Sequence, residues 1–98
     1  SYAQNSADES FQEAFEYMQA QELEKAKSSF HDFIEDFPKD SLAGSAYYWL
    51  GEIYTLQNDN NSAINMYATG IRDFKNSSKH LFFIHLSGVN NYSTKRDT

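Results

Sequence analysis

The chain has 98 residues and is acidic, with 14 Asp and Glu against 8 Lys and Arg and a net charge of -6. This charge opposes binding to nucleic acid phosphates and to an anionic membrane surface. The length fits one domain rather than an enzyme with a deep pocket, and the absence of cysteine excludes disulfides, thiolate zinc sites and a thiol nucleophile.

The first half of the chain predicts a leader followed by one antiparallel pair of helices. Residues 1–7 are small and polar without periodicity, so we expect a leader or linker there. Apolar residues at helical spacing predict a first helix at about residues 8–20, capped by Asp8 or Ser10. A second helix follows the turn at Gln21 and ends before Pro38, which cannot continue it.

The second half repeats this pattern and then departs from it. A third helix is predicted at about residues 42–57, with Ser41 as its cap, and a fourth at about 61–74. Residues 80–86 are apolar nearly all round. The predicted boundaries are a repeat domain at 8–89, with repeats at about 8–41 and 43–78, a partial third repeat at 79–89 and a flexible tail at 90–98.

The two helix pairs are copies of each other, displaced by 37 residues. Phe11 recurs as Tyr48, and ten other positions recur with the same or a similar residue type. A fixed period of 20 to 50 residues predicts stacked supersecondary units that bury their apolar faces against each other. Small residues recur where helices approach closely, and Gly51 inside a helix needs such a reason because glycine costs up to about 1 kcal/mol there.

The recurring residues resemble the tetratricopeptide repeat family. The matching positions are Ala14, Tyr17, Ala26, Phe30 and Pro38 in the first unit, and Leu50, Gly51, Tyr54, Ala63 and Tyr67 in the second. The resemblance implies an all-α fold of helical hairpins in a right-handed superhelix. The usual period is 34, and the three extra residues lie in the connection between Pro38 and Ala43.

Within that family, residues 9–79 are most similar to the C-terminal domains of the periplasmic Tol-Pal accessory proteins, or cell division coordinators, of Gram-negative bacteria. This resemblance implies a non-enzymatic, periplasmic protein-interaction module without a cofactor, whose partner is a Tol-system protein. Two alternatives stay open. One is the repeat domain of an outer-membrane assembly or pilus-biogenesis lipoprotein, and the other is a self-assembling structural repeat protein.

The resemblance also implies where a partner binds, because the first helix of each unit lines the concave face in this family. The expected protein-binding residues are Phe11, Phe15, Met18, Tyr48, Glu52 and Thr55. Of the two neighbouring rings, we assign Tyr48 to this face and Trp49 to the core. An apolar face with an acidic rim favours an apolar or basic helix as the ligand over a terminal carboxylate.

Catalytic and metal sites are not predicted. His80 and His85 are five residues apart, which is not one helical face, and no motif joins a nucleophile to a base. No apolar run approaches the length of about 18 residues that a membrane span needs, so direct insertion is not expected. A self-association surface is expected instead, at Leu81, Phe82, Phe83, Ile84 and Leu86, because these side chains are too apolar for an exposed tail.

Overall fold

A computed structural model describes residues 2–74 as four helices: α1 Tyr2–Gln19, α2 Leu23–Asp36, α3 Leu42–Leu56 and α4 Asn60–Asp73. Each helix packs on the next one along the chain, and α1 also packs on α3. The predicted all-α repeat fold is confirmed. This arrangement places α1 and α3, the first helices of the two units, side by side.

The period of 37 residues is visible in the backbone. Helix α4 begins and ends 37 residues after α2. In the two turns that precede these helices, Gln21 and Asn58 both adopt a left-handed conformation with φ of 63°. The residue after each of them donates its backbone N–H to a tyrosine carbonyl, from Glu22 to Tyr17 at 3.0 Å and from Asp59 to Tyr54 at 2.9 Å. The two turns are therefore copies of one another.

The start of the fold differs from the sequence prediction. Helix α1 begins at Tyr2, ahead of the predicted start at Asp8, and Ala7 is completely buried. The predicted leader at residues 1–7 is thus wrong for residues 2–7, and neither Asp8 nor Ser10 caps the helix. The sequence did not predict a helix there because its short polar residues show no apolar period. In the structure, buried Ala7 extends the packed part of α1 by about one turn.

The caps of the later helices also differ in part from those predicted. Ser41 makes no capping hydrogen bond to α3. Asp40 takes that role, because its Oδ1 accepts from the N–H of Leu42 at 2.9 Å. At the start of α4, Asp59 accepts from the backbone N–H of Ser62 at 3.2 Å and from its hydroxyl at 2.8 Å. Carboxylates at these positions satisfy N–H groups that the helix itself leaves without partners.

The core consists of small residues between the helices and a few large ones that fill the remaining space. Its fully buried members are Ala7, Ala14, Ala26, Phe30, Phe33, Ala43, Ala46, Leu50 and Ile53. Gly51 is buried as well, and a Cβ built on it would lie 2.5 Å from Cε1 of Tyr67. The prediction that glycine allows α3 and α4 to approach closely is confirmed.

Polar side chains join the two helix pairs across α2 and α3. Lys27 Nζ donates to Gln57 Oε1 at 2.9 Å, and Gln57 Nε2 donates to Glu24 Oε2 at 2.6 Å. His31 Nε2 lies 2.9 Å from the Tyr54 hydroxyl. Residues with higher numbers on α2 pair with residues that have lower numbers on α3, so these helices run antiparallel.

The predicted partial third repeat, the tail and the self-association residues lie outside the described residues.

Candidate functional site

A continuous row of aromatic rings crosses from α1 to α4 by way of α3. We call it the aromatic row, and its members are Phe11, Phe15, Trp49, Tyr48 and Tyr67. Adjacent centroids are 6.4, 5.4, 5.1 and 6.0 Å apart along this order. These spacings are those of interacting rings, which favour offset or edge-to-face contacts. The structure therefore brings together predicted site residues from both units.

The α1 members of the predicted site anchor the row in the first unit. Phe11 meets Phe30 and Phe33 edge to face, at centroid distances of 5.6 and 5.8 Å. Phe15 and Met18 are half-buried and pack against the core. All three predicted residues thus combine a buried side with a surface that stays accessible, which suits a rigid apolar contact.

The assignment of the neighbouring rings Tyr48 and Trp49 is wrong. Tyr48 is only 9% exposed, since Tyr67 of α4 and the indole of Trp49 contact it from two sides. Trp49 is half-buried, and it packs edge to face on Phe15 of the neighbouring first helix. Trp49 therefore contributes more of the accessible surface than Tyr48, which is a buried member of the aromatic row and packs against Trp49 and Tyr67.

Glu52 is held in place by a residue of another helix. The hydroxyl of Tyr67 donates a hydrogen bond to Glu52 Oε2. Burial raises the pKa of the Tyr67 hydroxyl above its ordinary value, and the hydrogen bond to Glu52 raises it further. Tyr67 consequently keeps its proton and remains a donor at neutral pH. The sequence indicated Tyr67 only as a core filler, because its contact with Glu52 depends on how closely α4 approaches Gly51.

The C-terminal end of α3 adds one residue that the sequence prediction missed. Leu56 is 62% exposed. It follows Trp49 and Glu52 at i, i+3 and i+7 spacing, which puts the three side chains on one side of the helix. That spacing is the signal that could have identified it. The predicted residue Thr55 is exposed, and its hydroxyl donates to the carbonyl of Gly51 at 2.9 Å within the same helix.

We call the side of α1 and α3 that carries Phe15, Trp49, Glu52 and Leu56 the inner surface. It combines apolar area with a carboxylate, so it suits an apolar segment that also carries a positive charge. Among residues 2–74, no three or more His, Cys, Asp or Glu side chains are grouped so that they could hold a metal ion. None of the four described helices has the length and apolar character needed to cross a membrane.

The comparisons with known proteins agree with this architecture. The tetratricopeptide repeat family matches residues 9–40 and 45–77, which together make up more than half of the chain. The chain is also 35% identical over 46 residues to the cell division coordinators CpoB of Pseudomonas putida and of its strain KT2440, an alignment that covers 47% of this chain and 17% of each relative.

The chain thus spans about a sixth of the length of the curated relatives that it matches. No solved structure gives a significant match. Each matched repeat covers most of one helix pair, and Gly51 of the second repeat lies in the close contact between α3 and α4. The chain belongs to the tetratricopeptide repeat family.

Proposed function

We propose that this chain is the protein-binding module of a periplasmic Tol-Pal accessory protein that acts in cell division and has no catalytic activity of its own. Membership of the tetratricopeptide repeat family supports a protein-binding role. The partial identity to cell division coordinators from Pseudomonas putida supports a role in cell division. The periplasmic setting and the Tol-system partner are what the sequence resemblance implies.

The observation that carries the proposal is the inner surface. Trp49 and Phe15 lie edge to face with centroids 5.4 Å apart, so their rings form one shared contact area rather than two isolated ones. Aromatic anchors of this kind supply much of the energy in protein interfaces and lose little side-chain entropy on binding. Glu52, fixed by Tyr67, adds a charge that selects the orientation of a ligand.

The proposed contact residues combine the accessible members of the predicted site with the two residues that the structure adds. They are Phe11, Phe15, Met18, Trp49, Glu52, Thr55 and Leu56. The partner segment has an apolar stripe that covers the rings and a Lys or Arg that meets Glu52. An amphipathic helix has both features on adjacent faces. A ligand bearing a terminal carboxylate does not fit, because a carboxylate stands at the position where it needs a cation.

Leu56→Glu tests the location of the site with little effect on the fold, because Leu56 is 62% exposed. The periplasmic domain of each Tol-system protein would be titrated into the intact chain by calorimetry. For the domain that binds, we expect Leu56→Glu to weaken affinity by about tenfold or more, as for a central interface residue. Tyr48→Ala is a poorer test, since loss of that buried ring also destabilises the fold.

Ser28→Glu is the matched control, because Ser28 is exposed on α2, lies outside the inner surface, and the substitution introduces the same charge. Its affinity should equal that of the unchanged chain. Equal weakening by both variants would show that the inner surface is not the site. Absence of binding to any Tol-system domain would contradict the assigned pathway while leaving the protein-binding role of the repeats in place.

A further inference from the structure

Helices α2 and α4 occupy equivalent places in the two units. The side of α2 that faces the next unit is covered by α3, whereas no described helix covers the equivalent side of α4. On α2, Lys27 and His31 make hydrogen bonds with Gln57 and Tyr54 of α3. Ile34, one turn farther on, packs against the core. The residues 37 positions later on α4 are Ile64, Ala68 and Ile71, which we call the stacking face.

The stacking face is more apolar than its counterpart on α2. Ile64 stands where α2 has Lys27, and Ala68 stands where it has His31. Ile64 is 62% exposed and, with Leu56, is one of the two large apolar side chains that are most exposed among the described residues. Lys27 and His31 hydrogen-bond to a neighbouring helix, whereas Ile64 and Ala68 can stabilise such a contact only by being removed from water. The face therefore fits an apolar partner.

The chain itself supplies a segment of that kind at the right distance. Helix α3 starts at Leu42, six residues after the end of α2 at Asp36. The same spacing after Asp73 falls at residue 79, and apolar residues are concentrated between 79 and 89. The length of chain after α4 and its composition both point to this segment rather than to an external protein.

A reciprocal change in side-chain size supports the same pairing. Phe33 on α2 and Ala46 on α3 are both buried in the core, one large and one small. Their counterparts 37 residues later are Gly70, which is buried, and Phe83. The ring is thus absent from α4 and present in the following segment. Interiors pack at nearly constant density, so a large residue facing a small one conserves the filled volume.

From these observations we infer that residues 79–89 of the same chain cover the stacking face of α4, with the ring of Phe83 at Gly70. The register repeats that of α2 and α3. One turn beyond the contact between His31 and Tyr54 lie Ile34 and Leu50, whose counterparts are Ile71 and Ser87. The segment is then an internal part of the repeat stack, and its opposite side is the one that remains for self-association.

The test uses the full chain, which has no natural cysteine. Ile71→Cys combined with Ser87→Cys is treated with a short bis-maleimide, and products are resolved by mass and by sedimentation. We expect an intramolecular cross-link that forms at least about tenfold faster than in the control, because packing gives the pair a high effective concentration. The control is Asp73→Cys with Ser87→Cys, since Asp73 lies two residues from Ile71 on the opposite side of α4.

Each other outcome overturns the inference. Equal rates for the two pairs would show that residues 79–89 do not pack in this register, and cross-linked dimers would show that the segment covers a second copy instead. Amide exchange on the unaltered chain guards against a folding defect in the variants. Amides of residues 80–88 should exchange at least about a hundredfold more slowly than in an unstructured peptide, and unprotected amides contradict the inference regardless of cross-linking.

Discussion

Gly51 sets how closely α3 and α4 approach, because the ring of Tyr67 occupies the space that any side chain at this position needs. A methyl group there meets three ring carbons at 2.5, 2.7 and 2.8 Å. We expect Gly51→Ala to destabilise the domain by about 1–3 kcal/mol through overpacking, despite the higher helix propensity of alanine. Gly51→Leu should cost more. Thermal and urea unfolding measure both.

Gly44 provides a control on the same helix. A methyl group at Gly44 lies 3.2 Å from Cγ of Phe74, which is tight but requires only a small shift. Gly44→Ala should therefore change stability by less than about 1 kcal/mol, because the gain in helix propensity offsets the crowding. If Gly51→Ala proves as mild as Gly44→Ala, the ring of Tyr67 does not fix the approach of the two helices.

The sequence predicted residues best where one side chain determines one contact. Gly51 was identified because a glycine inside an apolar helix is unfavourable unless another helix packs closely against it. Trp49 and Tyr48 were interchanged because adjacent residues on a helix differ by only about 100° in direction. Which of them faces solvent depends on Tyr67, whose ring reaches Tyr48 from a separate helix.

At the scale of elements, each turn between two paired helices contains one residue in the left-handed backbone conformation. This conformation suits the asparagine of the second turn but not the glutamine of the first. Gln21 and Asn58 both have φ of 63°. Asparagine tolerates this left-handed region, whereas other L residues lose about 1–2 kcal/mol in it. Gln21→Gly should therefore stabilise the domain by about 0.5–1 kcal/mol in urea unfolding.

The same substitution at two other positions separates the turn conformation from general effects of glycine. Asn58→Gly should be nearly neutral, and Gln19→Gly, at the last residue of α1, should destabilise by up to about 1 kcal/mol. A loss of stability on Gln21→Gly would contradict the left-handed assignment. The helix bounds after α1 were predicted to within a few residues, but the backbone of these turns was not, since no glycine marks them.

We expect the contact between α2 and α3 to depend on pH through His31, whose ring nitrogen contacts Tyr54. Burial lowers the pKa of the His31 imidazole below its ordinary value near 6.5, nearby Lys27 lowers it further, and Asp32 opposes both. The unfolded chain therefore takes up this proton first, so the contribution of His31 to stability is complete above about pH 6.5 and is lost as the pH falls below it.

His31→Gln tests this dependence because glutamine retains a group that can hydrogen-bond to Tyr54. Stability of this variant, measured by urea unfolding at a series of pH values from about 7.5 to 5, should fall less than that of the unchanged chain. The hydrogen bond from Gln57 and the charge of Lys27 lower the pKa of Glu24, which affects stability only at more acidic pH. Parallel curves for the two chains would show that His31 titrates normally.

At the scale of the whole molecule, we propose that residues 81–89 also bind a second copy of the chain. Leu81, Phe82, Phe83, Ile84 and Leu86 form a run that is too apolar for an exposed tail. Sedimentation velocity should show association of the intact chain in roughly the micromolar range, typical of a small interface. A chain ending at Lys79 should remain monomeric and should also be less stable, and a monomer in both cases contradicts the proposed self-association.

The overall architecture followed from the period of 37 residues, since a repeat in sequence requires a repeat in structure. What the period could not give was the start of α1. Residues 2–4 are equivalent to residues 39–41, which belong to the connection between α2 and α3, so the repeat predicts no helix there. Ala7 is buried because it packs with the core of the other helices, and such long-range packing leaves no local pattern.

Because of the hydrogen bond from Tyr67 to Glu52, we expect ligand binding at the proposed inner surface to be thermodynamically linked to repeat packing. Glu52 lies on the inner surface, while Tyr67 belongs to the helix behind it and covers Gly51. A cationic ligand that draws Glu52 away from the tyrosine should loosen α4, and a ligand that leaves this hydrogen bond intact should make α4 harder to detach. By reciprocity, a segment that packs on α4 should alter the affinity of the inner surface by the same factor.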